Sequence, residues 1–389
     1  MKKVGLITYY GDNYGGVLQA YALQQMVKAN HFDCEIISND FLNKKSGREK
    51  RKDKLANLVA AIKNPSDYLG KRRIYHQNAP QIASKAKKFE MFRRENLCIN
   101  KTGYASYDEY LENTPQYDVY LCGSDQIWNP NLYCDNGFYF AEFAPEHALK
   151  ISYASSIGLS KVNKKQAAFM APLLNRLDII STREQKGAEI INTISEKTAT
   201  VVLDPTLLLD ADEWSEIASA RMIEEPYVFC YLFGEREYVA TVKEQVKEMT
   251  GMKVVCIPFV PRELSSDDEK LFDVGPAEFI SLIKNASLVL TDSFHATAFS
   301  INLKTPFISL CRFDKCDRRS MNDRLVTILD MVGLSDRLVD AGDTISSDFL
   351  YAVDFEKAHE HLERKRQIAR QFLVDTLNYD KTRGAYGDL

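Results

Sequence analysis

Residues 3–38 read KVGLITYYGDNYGGVLQAYALQQMVKANHFDCEIIS, and this stretch decides the fold. Residues 3–8 form an apolar run of strand length. A turn-rich loop from Tyr9 to Gly16 follows, after which Val17, Leu18, Tyr21, Ala22, Gln25 and Met26 keep helical spacing. Residues 34–38 make a second apolar run. Strand, loop, helix and strand in that order predict a βαβ unit, which requires a parallel sheet covered by helices.

The alternation continues outward from this unit. Strands are expected at 118–122, 150–154, 179–182 and 200–203, and a second series at 227–232, 253–257, 288–291 and 307–310, with helical patterns between them such as 237–249 and 277–284. The two series meet near Asp204-Pro205-Thr206, where Pro205 ends a strand and Asp210-Ala211-Asp212 opens a helix toward Trp214. The chain has 389 residues, more than the ~250–300 at which a single core stops growing. The reading is therefore two α/β halves, 1–205 and 206–350, facing a cleft, with a helical tail at 351–389. Ligands of open α/β sheets bind outside the carboxyl ends of the strands, so the loops after the strands are where chemistry is expected.

Composition narrows the class. Apolar residues make up 45% and charged residues 27%, which fits a globular chain rather than a disordered one. A net charge of −4 gives no reason for a nucleic-acid partner. The eight cysteines form no C-x-x-C pair and read as free, mostly buried thiols of a reducing compartment. The apolar run after Met1-Lys2-Lys3 is too short for a secretion signal, and no run reaches the ~18 apolar residues of a membrane span. A cytoplasmic protein is expected. Lys44, Lys45, Arg48, Lys50, Arg51, Lys52 and Lys54 form a basic segment, read as a solvated face or as a contact for anionic lipid headgroups or a pyrophosphate-linked acceptor at the inner membrane face.

Five loops carry chemistry-bearing residues. Asp292-Ser293-Phe294-His295 follows the expected strand 288–291 and opens a helix that Asp292 or Ser293 would cap. A helix N-terminus favours phosphate or carboxylate, and His295 in its first turn suits an acid or an anion ligand, the alternative being a loop-capping histidine. Arg183, closing the strand 179–182, suits bidentate binding of an anion at the cleft mouth, or is a surface arginine. In Gly123-Ser124-Asp125-Gln126-Ile127-Trp128-Asn129, Trp128 either stacks on a sugar face or plugs the domain edge. Asn13, Gly15 and Gly16 lie in a glycine-rich loop that lacks G-x-G-x-x-G spacing, and its glycines would let a ligand approach the backbone. Arg312, Lys315, Arg318, Arg319 and Arg324 gather after the strand 307–310, suiting an anionic ligand or forming a solvated surface.

Taken in order, these segments resemble one family. Asn13-Tyr14-Gly15-Gly16-Val17-Leu18-Gln19-Ala20-Tyr21-Ala22-Leu23, Gly123 to Asn129, Ser181-Thr182-Arg183-Glu184, Asp204-Pro205-Thr206, Asp292 to His295, and Arg319-Ser320-Met321-Asn322-Asp323-Arg324 are similar to the ordered motifs of the polysaccharide pyruvyl transferases. One position departs: Ala296 stands where the family usually has glycine. The resemblance implies two Rossmann-like α/β domains facing a cleft in a GT-B-like arrangement. It also implies phosphoenolpyruvate as donor and a hexose diol of a bacterial surface polysaccharide as acceptor, free or as a lipid-linked oligosaccharide. The product is a cyclic pyruvate ketal. On that reading His295 is the acid or a phosphate ligand. Asp125, Asp292 or Asp12 is the base. Arg183, Arg312, Arg318, Arg319, Arg324 and Ser293 hold the donor, and Asn13, Gly15, Gly16, Ser124 and Trp128 complete the binding surface. No metal-ligand cluster is visible, so no metal or other cofactor is expected. Two rivals share the pattern: a glycosyltransferase using a nucleotide sugar, marked by nucleotide binding, and a non-catalytic sugar-binding protein, which has no need of His295 beside so many arginines.

Overall fold

A strand covered by helices on both faces must be apolar on both, and the short apolar runs meet that demand. The structure, a computed structural model, describes residues 1–39, 42, 65–100, 106–133, 136–314, 317 and 320–381. In it, β1 (Lys3–Ile7) pairs in parallel with β2 (Asp33–Ile36) and β3 (Val119–Cys122), and β3 pairs with β4 (Leu149–Ser152), giving the order β2-β1-β3-β4. A parallel pair, β5 (Ile180–Thr182) and β6 (Ala199–Val201), continues this layer through isolated bridges such as Ile151 to Ile179. The second sheet holds β7 (Tyr227–Tyr231), β8 (Lys253–Cys256), β9 (Glu269–Lys270), β10 (Leu288–Thr291), β11 (Phe307–Leu310) and β12 (Leu338–Val339) in the order β12-β11-β10-β7-β8-β9. All its pairs are parallel.

Each sheet reverses its winding once. In the first, β1 leads to β2 on one side and β3 to β4 on the other. In the second, β7 leads to β8 while β10 leads to β11. The loops after β1 and β3, and after β7 and β10, therefore diverge at their carboxyl ends and leave a crevice at each switch point. The two crevices face one another.

What holds the halves together is mostly burial. Tyr14, in the helix Tyr14–Ala29, stacks on Phe279 of the second half at 4.5 Å and 8°, and its hydroxyl donates to the Val274 carbonyl at 2.8 Å. A fully buried side chain of this size contributes ~1.5–3 kcal/mol. The partly exposed Lys88–Glu278 bridge beside it, at 2.8 Å, is worth at most ~1 kcal/mol. One apolar cluster runs unbroken from Val4 and Leu6 through Trp214 to Val289 and Leu373. The C-terminal helix Phe355–Asn378 lies against both halves. Arg366 donates to the Leu207 carbonyl and to Asn302, and the Phe372 ring lies tilted 6.5 Å from that of Tyr153.

The basic segment around Lys44–Lys54 lies outside the described residues. Among the described residues, no helix is long and apolar enough to cross a membrane. Cys34, Cys122, Cys230 and Cys256 are buried free thiols.

Candidate functional site

Between the facing switch points lies a cavity of about 260 Å³. The first half contributes Tyr9, Asn13 and Gly15 after β1, Asp125 and Gln126 after β3, and the Leu132-Tyr133 pair. The second half contributes Tyr231 at the end of β7 and Phe233 after it, Ser293 to His295 after β10, then Arg312 and Arg324.

Two helix N-termini open onto this space. Asn13 caps the helix Tyr14–Ala29 by accepting from Gly16 N, and Ser293 caps the helix Phe294–Asn302 by accepting from Ala296 N. At each end the first N–H groups have no partner inside the helix, and the aligned peptide dipoles favour negative charge there. Arg324 adds a full charge. It is buried, and among the described residues no carboxylate lies within ion-pair distance of it. Burial, followed by repulsion from Arg183 and Arg312, lowers its pKa to about 9. A buried guanidinium without a counter-ion is costly unless an anion completes the site.

Behind the cavity wall sits a charge network. Asp204 accepts at one oxygen from Ser124 Oγ at 2.7 Å and from Arg183 Nη1 at 2.8 Å, and at the other from Thr206 N and Oγ1. Burial alone would raise this carboxyl, but the charges of Arg183 and His295, and the hydrogen bonds, hold it at about 2. Arg183 also reaches Asp125 at 3.3 Å and lies 4.5 Å over the Phe294 ring. Arg183 is thus enclosed rather than at the cleft mouth, and its charge is matched by Asp204 and Asp125. Its Nη1 is 3.3 Å from His295 Nε2. Because arginine only donates, Nε2 accepts and the ring proton sits on Nδ1.

His295 is neutral over the ordinary pH range. Burial lowers its pKa to about 4, and Asp204, which pulls the other way, does not compensate. In the free protein it is therefore a hydrogen-bonding group rather than a ready acid. Its ring rests on Gly15: a Cβ there would stand 1.9 Å from Nδ1. A Cβ at Gly16 would meet Tyr9 at 2.6 Å. These glycines thus admit side chains of the site itself, where a ligand was the expectation. Asp125 borders the cavity with φ 68°, a strained value for a residue other than glycine.

Other expected residues have different duties. The Asp292 carboxylate accepts from Phe233 N at 2.9 Å and Gly234 N at 2.6 Å and pairs with Arg312 at 3.1 Å. It anchors the loop after β7 and is poorly placed as a base. Arg312 lies over Phe233 at 4.7 Å and still borders the cavity. Trp128 is fully buried, stacks on Phe140 at 5.3 Å, and donates its indole N–H to the Tyr139 carbonyl. It plugs the first half and offers no face to a sugar. Asp12 is exposed and paired with Arg93 at 2.7 Å. Lys315, Arg318 and Arg319 lie outside the described residues. Among the described residues, Cys256, Glu263 and Asp268 have metal-like spacing, but the Lys243 ammonium already pairs with both carboxylates.

The sequence reading missed two sets of residues. Tyr9, Tyr133, Tyr231 and Phe233 line the cavity, and their only sequence signal is a position at the end of a strand or just after a strand or turn. Asp204 was read as a motif without a role, although its Pro205 neighbour marked a strand end.

Comparisons agree with this architecture. The chain is similar to the UDP-GlcNAc 2-epimerase from Methanocaldococcus jannaschii, at 14% identity over 97% of this chain and 100% of that one, with a TM-score of 0.54. It is also similar to MnaA of S. aureus in a co-structure with UDP, at 11% identity over 97% and 96%, with a TM-score of 0.52. At such identities the likeness speaks for the fold, the GT-B arrangement, and no further. No curated protein matches the chain. The sequence model of one family, described as polysaccharide pyruvyl transferase, matches residues 13–310. That span covers most of the chain and includes the Arg183 and Asp204 network and His295, and the chain belongs to the polysaccharide pyruvyl transferase family.

Proposed function

We propose that the cavity takes phosphoenolpyruvate and transfers its pyruvyl group to two hydroxyls of a hexose, forming a cyclic ketal of a bacterial surface polysaccharide. The observation that carries this reading is the convergence on one small cavity of two helix N-termini and of Arg324, which has no carboxylate in ion-pair distance among the described residues. Phosphoenolpyruvate brings two anionic groups, a phosphate and a carboxylate, to such a place. The volume, about 260 Å³, lies below the ~300–1,000 Å³ of pockets for larger ligands, which favours a small donor.

The atoms balance as follows. The methylene carbon gains a proton and the oxygen of one sugar hydroxyl bonds to the central carbon. The bond from that carbon to the phosphate oxygen breaks, and phosphate leaves with the electron pair. The second hydroxyl oxygen then bonds to the same carbon and closes the ring. The two hydroxyl protons become the third methyl hydrogen and the proton of hydrogen phosphate. On this reading Arg324, Arg312 and Ser293 hold the donor against the second half, and the acceptor enters over the first. Asp125, which pairs with Arg183 at 3.3 Å, takes the hydroxyl proton. A bound dianion raises the basicity of His295, which then shares a proton with the departing phosphate.

A thermal-shift titration with phosphoenolpyruvate, UDP, CMP and GDP tests the donor. Stabilisation by phosphoenolpyruvate alone, lost in Arg324→Met, supports it. Stabilisation by a nucleotide and none by phosphoenolpyruvate replaces it with a nucleotide-sugar reading.

A further inference from the structure

A second cavity, about 480 Å³, lies in the first half and is lined by Asn131, Leu159, Lys161, Val162, Asn163 and Gln166. One chain segment separates it from the first. Leu132 and Tyr133 line the donor cavity, and their neighbour Asn131 lines the second. Adjacent Cα atoms are ~3.8 Å apart, so one short stretch of chain, Asn131–Tyr133, borders both cavities. Leu132 is 58% exposed.

The second cavity carries unused donors. Asn131 Oδ1 accepts from Gln166 Nε2 at 3.1 Å. Asn163 Oδ1 caps the helix Lys164–Asn175 by accepting from Gln166 N, and Gln166 Oε1 accepts in return from Asn163 N. This reciprocal pattern fixes all three carboxamides. It leaves Nδ2 of Asn131, Nδ2 of Asn163 and Nζ of Lys161 with no acceptor among the described residues. They surround an apolar floor of Leu159 and Val162. Rigid carboxamide donors over a small apolar patch match a sugar ring, with its oxygens at the edge and C–H groups on its face.

Resting on the pyruvyl-transfer reading, we infer that this cavity is an acceptor subsite. It binds the saccharide unit attached to the hexose that reacts in the first cavity, so the acceptor is an oligosaccharide laid across the Asn131–Tyr133 wall. The reacting unit sits beside Asp125, and the next unit meets Asn131, Lys161 and Asn163.

The test uses fluorescently tagged glycans of one, two and three hexose or N-acetylhexosamine units, bound to wild type and to the double variant Asn131→Ala/Lys161→Ala. Both substituted residues are exposed, so the fold should be kept, and an unchanged melting temperature verifies it. Wild type should bind some glycan of two or more units at least ~10-fold more tightly than its single unit, and the double variant should lose that gain. No gain with length in wild type, or a gain that survives in the variant, overturns the subsite. A parallel phosphoenolpyruvate thermal shift separates the two ideas. If the length gain is present and lost in the variant but phosphoenolpyruvate does not bind, the glycan subsite stands and the pyruvyl reading fails.

Discussion

Gly15→Ala is the sharpest perturbation of the site. The new Cβ would stand 1.9 Å from His295 Nδ1, 2.3 Å from Cγ and 2.5 Å from Cε1. Unstrained contact needs ~3.5 Å, so ring and backbone must separate by roughly 1.5 Å. The imidazole is packed on Phe294 at 5.2 Å and held by Arg183, and the open direction is into the cavity. Displacement of ~1 Å in a positioned group costs ~10²-fold in turnover, and a ring pushed into the cavity also excludes the donor. On stability two terms oppose one another. Alanine in a helix gains ~1 kcal/mol over glycine, while overpacking costs ~1–3 kcal/mol. The melting temperature should therefore fall only modestly while phosphoenolpyruvate-dependent phosphate release drops by about two orders of magnitude. Release within threefold of wild type, with a phosphoenolpyruvate thermal shift intact, would refute the placement of His295 on the helix terminus.

Three further outcomes are expected. Asp204→Asn should destabilise the fold by ~3–5 kcal/mol in urea titrations, because it leaves Arg183 buried with a weakened counter-charge; Ser124→Ala, which removes one hydrogen bond to the same carboxylate, should cost only ~1 kcal/mol. Arg324→Met should raise the urea midpoint while abolishing stabilisation by phosphoenolpyruvate, since among the described residues no carboxylate pairs with that buried cation; a lower midpoint would mean that a counter-ion is already in place. Stability should fall with acidification in two windows. His295, lowered to about 4 by burial, binds a proton in the unfolded chain near pH ~6.5 but not in the folded one, so stability is lost from there down to 4. Asp204, held at about 2, adds a second loss below ~3.9. His295→Gln should remove the first window only, and an unchanged slope between pH 4 and 6.5 in that variant would contradict the assignment.

The sheets were legible because each strand is a short apolar run bounded by turn residues, as with residues 288–291 before Asp292. The cavity-lining loops were legible because ligands of parallel sheets bind at the carboxyl ends of the strands, which selected His295, Asp125, Arg312 and Arg324. Burial was not legible. Arg183 and Asp204 are 21 positions apart, and only the packing of β5 beside the chain leaving β6 brings their charges together, so Arg183 read as exposed. Trp128 was undecidable for a related reason: the Phe138–Phe140 turn that covers it lies beyond any local period. The aromatic lining gave no signal of its own: Tyr231 reads as one more residue of an apolar strand, and Phe233 is a single residue beyond it that carries no pattern.

The seating of His295 on Gly15 also bears on recombination between relatives. A chimera that grafts the first half of one family member onto the second half of another, in the hope of changing the sugar accepted, divides this contact at its middle. Such exchanges should work only when the turn before the helix Tyr14–Ala29 travels with the Asp292–His295 loop it was fitted to. The two halves of this protein are not interchangeable cartridges, and under the proposed function acceptor range is better altered at the Asn131–Tyr133 stretch, which belongs to one half alone.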